Sequence, residues 1–134
     1  MLDKLKTKKQ LSKKVLLAED NEVNQLVFKG MIHELGFVVD VAENGKHAID
    51  MWKQANYDVI FMDVQMPVMD GLEATRLIRS MENTGEHQPI IAVTANAFEE
   101  DEQACLAVGM DAYLTKPLEI KLLQETMVAC LQTA

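Results

Sequence analysis

Five residues scattered along this 134-residue chain suit one chemistry: Glu19, Asp20, Asp63, Thr94 and Lys116. Each stands at or just past the end of a short apolar run. Val15-Leu16-Leu17-Ala18 leads into Glu19-Asp20, Val59-Ile60-Phe61-Met62 into Asp63, Pro89 to Val93 into Thr94, and Ala112 to Leu114 into Thr115-Lys116. Three carboxylates brought together repel. Two unit charges about 4 Å apart are unfavourable by about 4 kcal/mol at an effective dielectric of about 20. Either one stays protonated or a cation sits among them. An all-oxygen ligand set without Cys or His selects a hard divalent ion, Mg2+ or its analogue Mn2+. Such an ion recruits phosphate, and the Thr94 hydroxyl and Lys116 ammonium both suit phosphoryl oxygens. Asp63 is then the nucleophile, forming an aspartyl phosphate. Taken singly, each residue has a plainer explanation, as a helix cap or a solvated charge. Four strand ends coinciding do not.

The elements that must position these residues follow from periodicity and turn signals. The stretch from Tyr57 to Gly71 is central: a β-branched apolar run ending in Asp63, then a turn rich in Pro and Gly. A run of that length reads as a strand buried on both faces, with its last residue delivered to the carboxyl edge of a sheet, where open α/β sheets place their ligands. Strands are expected at Val15–Ala18, Phe37–Val41, Val59–Asp63, Pro89–Val93 and Ala112–Leu114. Helices are expected at Val23–Leu35, Lys46–Ala55, Gly71–Met81, Phe98–Val108 and Leu118–Leu131. Gly36 and Gly109 stop the first and fourth helices, Glu43-Asn44-Gly45 reads as a turn, and Leu72, Leu77 and Ile78 are core candidates with Arg76 and Arg79 outward. Five β-α repeats mean right-handed crossovers and a doubly wound parallel sheet covered on both faces, an α/β fold. All strand carboxyl ends then point the same way, so the five residues converge on a rigid frame.

Composition agrees with one globular domain: 49% hydrophobic, 25% charged and 3 Pro. Residues 1–14 hold six Lys and one Asp, a charge of +5, and read as a Lys-rich linker or tail. The remaining 120 residues hold 7 basic and 20 acidic side chains, a charge of −13, within the overall −8. A body that acidic is a poor surface for nucleic acid, and the tail lacks the aromatics that would pair with its charges. Cys105 and Cys130 have no paired spacing and read as buried free thiols. No apolar run approaches the length of a membrane span, and the basic start is followed by no apolar stretch. Cytoplasmic location and no direct membrane contact are expected. His33, His47 and His87 are scattered on polar faces rather than clustered as ligands, and Met62, Met66 and Met69 read as core fillers or loop anchors.

The motifs Glu19-Asp20-Asn21, Met62-Asp63-Val64-Gln65-Met66-Pro67-Val68-Met69-Asp70-Gly71, Thr94-Ala95-Asn96 and Lys116-Pro117 resemble the receiver domain of two-component response regulators, over residues 15–132. The run Gly109 to Pro117 is most similar to receivers of hybrid sensor histidine kinases. The resemblance implies a flavodoxin-like sheet of order 2-1-3-4-5, with residues 15–134 as the receiver domain. It implies that Asp63 accepts a phosphoryl group from phosphohistidine, and that Asp20, Asp63 and the Gln65 carbonyl bind Mg2+ with help from Glu19. Thr94 and Lys116 contact the phosphoryl group, Tyr113 is a switch aromatic, Gln65 and Asn96 tune phosphate lifetime, and the Lys116-Pro117 bond is cis. The partner is a histidine kinase or a histidine phosphotransfer domain. The output is either a changed face of fourth helix, fifth strand and fifth helix, or relay of the phosphate onward. The domain is then a phosphoacceptor rather than an enzyme acting on other substrates. It is free-standing or, preferably, part of a larger sensor kinase whose cytoplasmic portion it forms. The chain ends with its fifth helix, and no output domain is expected after it.

On the first helix, Val27, Phe28, Met31 and Leu35 are expected to face the core, leaving Val23 and Leu26 exposed as an apolar docking patch for the histidine-bearing partner. Two other functions are weaker fits. A phosphatase with an Asp nucleophile would carry a second acid two positions on, where Gln65 stands. A flavin carrier would need a Gly, Ser or Thr phosphate cradle in Asn21-Glu22-Val23-Asn24.

Overall fold

The computed structural model describes residues 13–95 and 98–133. Five strands, β1 (Lys14–Ala18), β2 (Val38–Ala42), β3 (Val59–Asp63), β4 (Ile90–Thr94) and β5 (Ala112–Thr115), alternate with five helices. The helices are α1 (Glu22–Glu34), α2 (Gly45–Gln54), α3 (Gly71–Met81), α4 (Glu99–Ala107) and α5 (Ile120–Thr133). All strand pairs are parallel, in the order β2-β1-β3-β4-β5. The α/β class, the doubly wound sheet and its order are those expected from the sequence, with ends shifted by one or two residues. β1 begins at Lys14, so the last residue of the Lys-rich stretch is already in the sheet. Residues 1–12 of that stretch lie outside the described residues.

The period-2 alternation of the strands sorts their side chains to two faces. Leu16, Ala18, Ile60, Met62, Ile90 and Ala92 meet Ala48 and Ile49 of α2, Ala74 and Ile78 of α3, and Cys105 of α4. Val15, Leu17, Val59, Phe61, Ile91 and Val93 meet Phe28 and Ile32 of α1 and Leu123, Met127 and Cys130 of α5. Neither cysteine forms a disulfide, and both are buried. Phe28 packs edge-on to Phe61, ring centroids 4.7 Å apart. β1, β3 and β4 are covered on both sides, which is why they read as unbroken apolar runs.

Three helices begin at side-chain caps: Asn21 accepts Asn24 N–H, Asn44 accepts His47 N–H and Asp70 accepts Glu73 N–H, each at 2.9 Å. The packing corrects three expectations. In α1 the buried pair is Phe28 and Ile32, and Val27 is 54% exposed, because the face centred on Phe28 runs through Ile32 and Leu35 and turns Val27 toward solvent. Leu77 is exposed at the rim of its helix. Arg79 does not point outward. Its Nε and Nη2 donate to the Gly109 carbonyl at 2.9 and 2.7 Å, Nη1 meets Glu82 at 2.7 Å and Nη2 meets Asp111 at 3.1 Å. That fork ties the ends of α3 and α4 to the start of β5.

Candidate functional site

Register explains why residues far apart in sequence meet. Ala18 pairs with Met62, so Glu19 stands one rung on, beside Asp63. Asp63 pairs with Val93, and Thr94 pairs with Thr115, immediately before Lys116. Backbone bonds continue the ladder past the strand ends, with Glu19 N–H to the Ala42 carbonyl at 2.9 Å, Val64 N–H to Val93 at 3.2 Å and Lys116 N–H to Thr94 at 2.8 Å. The Lys116-Pro117 peptide bond is cis.

Lys116 Nζ bridges two acids, 2.9 Å from Glu19 Oε1 and 3.2 Å from Asp63 Oδ2. Glu19 and Asp63 are buried and Asp20 is exposed at the mouth. Carboxylate oxygens of the three lie within 4.8 Å of one another. The other Asp63 oxygen, Oδ1, accepts the Gln65 N–H at 3.0 Å. Glu19 is held twice, by Asn21 N–H on Oε2 at 3.1 Å and by Gln25 Nε2 on its carbonyl at 2.7 Å. Thr94 is buried next to this cluster, and Tyr113 is half-buried two residues before Thr115. Gln65 is exposed at the start of the loop that follows β3, whereas Asn96 lies outside the described residues.

Burial pushes the Asp63 carboxyl up from 3.8 to about 6, helped by the Glu19 charge and opposed by the Gln65 N–H and by Lys116. Burial works against the Lys116 charge, yet its bonds and charge pairs with Glu19 and Asp63 outweigh that and leave its pKa raised. Burial, with Asp101 nearby, also raises the Tyr113 hydroxyl. An unequal acid cluster with one cation already inside it is frustrated: one ammonium faces more than one carboxylate. The side-chain donors of Glu19, Asp20 and Asp63 are oxygen only, converging from β1 and β3, a set that fits a hard divalent ion.

The Val23 and Leu26 side chains are 67% and 72% exposed on α1, and Val27 joins them at i, i+3 and i+4 spacing, one turn on from the Asn21 cap beside Glu19. Sequence reasoning missed Gln25, Val27 and Gly45. Gln25 has a signal in hindsight, since it lies one turn after the cap. Gly45, taken for a turn residue, opens α2 and donates its N–H to the Met69 carbonyl at 2.9 Å.

Residues 15–128 match the response regulator receiver domain family. Among curated relatives, a probable histidine kinase 1 of Oryza sativa subsp. indica is 42% identical over 89% of this chain, and hybrid signal transduction histidine kinase I of Dictyostelium discoideum is 46% identical over 87%. The chain spans 15% and 7% of those two proteins' lengths. Among solved structures, the receiver domain of sensor histidine kinase PA1611 from Pseudomonas aeruginosa, with a magnesium ion coordinated in its active-site cleft, is 43% identical. It covers 88% of this chain and 96% of its own, at a TM-score of 0.81. The receiver domain of Ssk1 from Saccharomyces cerevisiae, in co-crystals with the histidine phosphotransfer protein Ypd1, is represented by a match at 31% identity and TM-score 0.79, covering 90% of this chain and 91% of that one.

Proposed function

Because this chain belongs to the response regulator receiver domain family of two-component systems, we propose that it takes a phosphoryl group from a phosphohistidine onto Asp63. The observation that carries this is the bridge from Lys116 Nζ to Glu19 and Asp63 inside a three-carboxylate cluster. Glu19, Asp20, Asp63 and the Gln65 carbonyl would hold Mg2+, or Mn2+, which when bound offsets the negative charge of the incoming phosphoryl group. Asp63 Oδ2 attacks phosphorus as the phosphorus–nitrogen bond to histidine breaks, and the imidazole leaves with the electron pair. Gln65 N–H keeps Oδ1 fixed, so a single oxygen is presented. The Lys116 ammonium and the Thr94 hydroxyl would donate to the phosphoryl oxygens.

Movement of Thr94 toward the new charge, with Tyr113 following inward, would change the face formed by α4, β5 and α5. α4 is suited to move. Its buried residue is Cys105, and its N-cap position, Phe98, makes no side-chain capping bond. Gln65 and Asn96 are assigned to tuning of phosphate lifetime. The exposed strip Val23, Leu26 and Val27 is assigned to docking the histidine kinase or histidine phosphotransfer domain beside Asp63. We assign residues 15–134 to the receiver and 1–14 to a linker or tail. The relatives' far greater lengths support a place inside a hybrid sensor histidine kinase, on its cytoplasmic side.

Acetyl phosphate with Mg2+ should add one phosphoryl group to the intact chain, read by mass spectrometry. Labelling should vanish in Asp63→Asn and on chelation. Unchanged labelling of Asp63→Asn would overturn the assignment.

A further inference from the structure

The loop that leaves the phosphoacceptor is gripped from outside by a residue the chemistry does not use. Gly71 N–H donates to the Val64 carbonyl at 3.0 Å and closes the loop over 64–70. Inside it Met69 N–H reaches the Pro67 carbonyl at 2.7 Å, with Val68 between them at φ 69°. This is a γ-turn with a left-handed centre, strained for a β-branched side chain. The Met69 carbonyl accepts Gly45 N–H at 2.9 Å, from the first turn of α2. A Cβ on residue 45 would lie 2.5 Å from that oxygen, 3.0 Å from the Asp70 carbonyl oxygen and 3.0 Å from Ala74 Cβ. Two of these are backbone atoms that cannot swing aside. At the far end of the loop, a Cβ on residue 71 would clash with the Asp63 carbonyl oxygen. Contact therefore runs from α2 to Met69 and Asp70, on to Gly71, and from Gly71 to Asp63 itself.

We propose that Gly45 is a positioning residue for the phosphoacceptor: its missing side chain lets α2 hold the Met69 carbonyl, which fixes Gly71 and so the Asp63 backbone and the Gln65 amide. This rests on the receiver function proposed above. Gly45 is buried at the first position of α2, and on helix propensity alone an added methyl group there would be a gain. Here the methyl pushes the Met69 carbonyl away and transmits the shift to Asp63, and small misplacements of reacting groups slow reactions steeply.

The test compares the parent, Gly45→Ala, Gly45→Ala with Val68→Gly, and Gly30→Ala as a control whose Cβ would meet nothing within 4 Å. Mg2+ affinity is measured by calorimetry without phosphodonor, and labelling by acetyl phosphate at saturating Mg2+. Gly45→Ala should bind Mg2+ about tenfold more weakly and label about tenfold more slowly. A glycine at position 68 relaxes the γ-turn, lets the Met69 carbonyl retreat and restores most of both. A purely structural role would lower the thermal midpoint without that rescue. Gly45→Ala matching the parent in affinity and rate would overturn the proposal, as would failure of the rescue. Should Gly45→Ala not fold, hydrogen exchange in the parent decides. Mg2+ with beryllofluoride, a phosphoryl mimic, should slow exchange of the Gly45 N–H, because coupling between sites is reciprocal, and unchanged exchange overturns the proposal. A parent unlabelled at Asp63 would instead refute the receiver function, and the Mg2+ titrations would still decide for Gly45.

Discussion

Asp63→Asn should make the Mg2+-free protein more stable, by an amount that grows with pH. Burial lifts the folded-state pKa of Asp63 to about 6 from 3.8, so between these values the folded chain holds a proton the unfolded chain has released. The contribution is therefore favourable relative to neutral pH when both states are protonated, and it is lost as pH rises through about 6. A rise from 3.8 to about 6 costs the ionised protein at most about 3 kcal/mol above about pH 7, and about half of that near pH 5. Solvent at the mouth of the cleft screens part of it. Asparagine does not ionise and escapes this penalty, keeping an acceptor for the Gln65 N–H. Urea unfolding of parent and variant, in chelator at several pH values, gives the difference directly. Adding Mg2+ should then stabilise the parent and leave the variant almost unmoved, closing the gap by mass action. A variant no more stable than the parent near neutral pH, or a gap that does not shrink toward acid, would refute the claim that Asp63 is a buried, frustrated carboxylate.

Lys116→Met removes the cation that both buried acids share and should destabilise the metal-free protein by about 2–4 kcal/mol at neutral pH, with Mg2+ recovering part of it, read by the same unfolding curves. Val23→Lys with Leu26→Lys should leave stability within about 0.5 kcal/mol and acetyl phosphate labelling unchanged, while slowing transfer from a phosphorylated histidine phosphotransfer domain at least about tenfold; equal transfer rates would remove the docking strip. Arg79→Gln strips the fork from the Gly109 carbonyl, Glu82 and Asp111 and should lower stability by about 2–4 kcal/mol in thermal unfolding, where an outward arginine would change almost nothing.

What the sequence made legible was whatever depends on order along one element. The apolar runs ending in Glu19-Asp20, Asp63, Thr94 and Lys116 carry their own punctuation, and parallel strands leave a single edge on which those ends can fall. Caps are local in the same sense, since Asn21, Asn44 and Asp70 each act on a residue three positions on, although Asn44 is expected only as part of a turn. Contacts between elements were not readable. Val27 and Phe28 are neighbours with similar side chains, and only the angle at which α1 lies on the sheet decides which is buried. Arg79 looks outward on a helical wheel, yet the carbonyl it caps belongs to Gly109 at the end of another helix. Gly45 has a local signature of a turn, whereas its requirement comes from Met69, a residue on a different loop.

The two edges of the sheet are held by opposite kinds of bond, and this bears on how a charge at Asp63 could be felt elsewhere. At the amino edge, Arg79 closes a network in which Asp111 also accepts the Ile90 N–H at 2.8 Å and lies 2.6 Å from His87 Nε2, so donors and acceptors there are matched. At the carboxyl edge Lys116 faces two buried acids with a third at the mouth, so negative charge is in excess there, an excess that a bound cation would offset and a phosphoryl group would enlarge. A ligand shifts an equilibrium only through a difference in affinity between states, and a satisfied network offers none. Rearrangement on phosphorylation should therefore start at Thr94, Lys116 and the N-terminal turn of α4 and stop at the Gly109 end, which Arg79 pins. α4 would pivot rather than detach. Hydrogen exchange with and without beryllofluoride would show this as changed protection at Asp101 and Glu102 with unchanged protection at Met110 and Asp111, whereas equal change at both ends would mean that Arg79 restrains nothing.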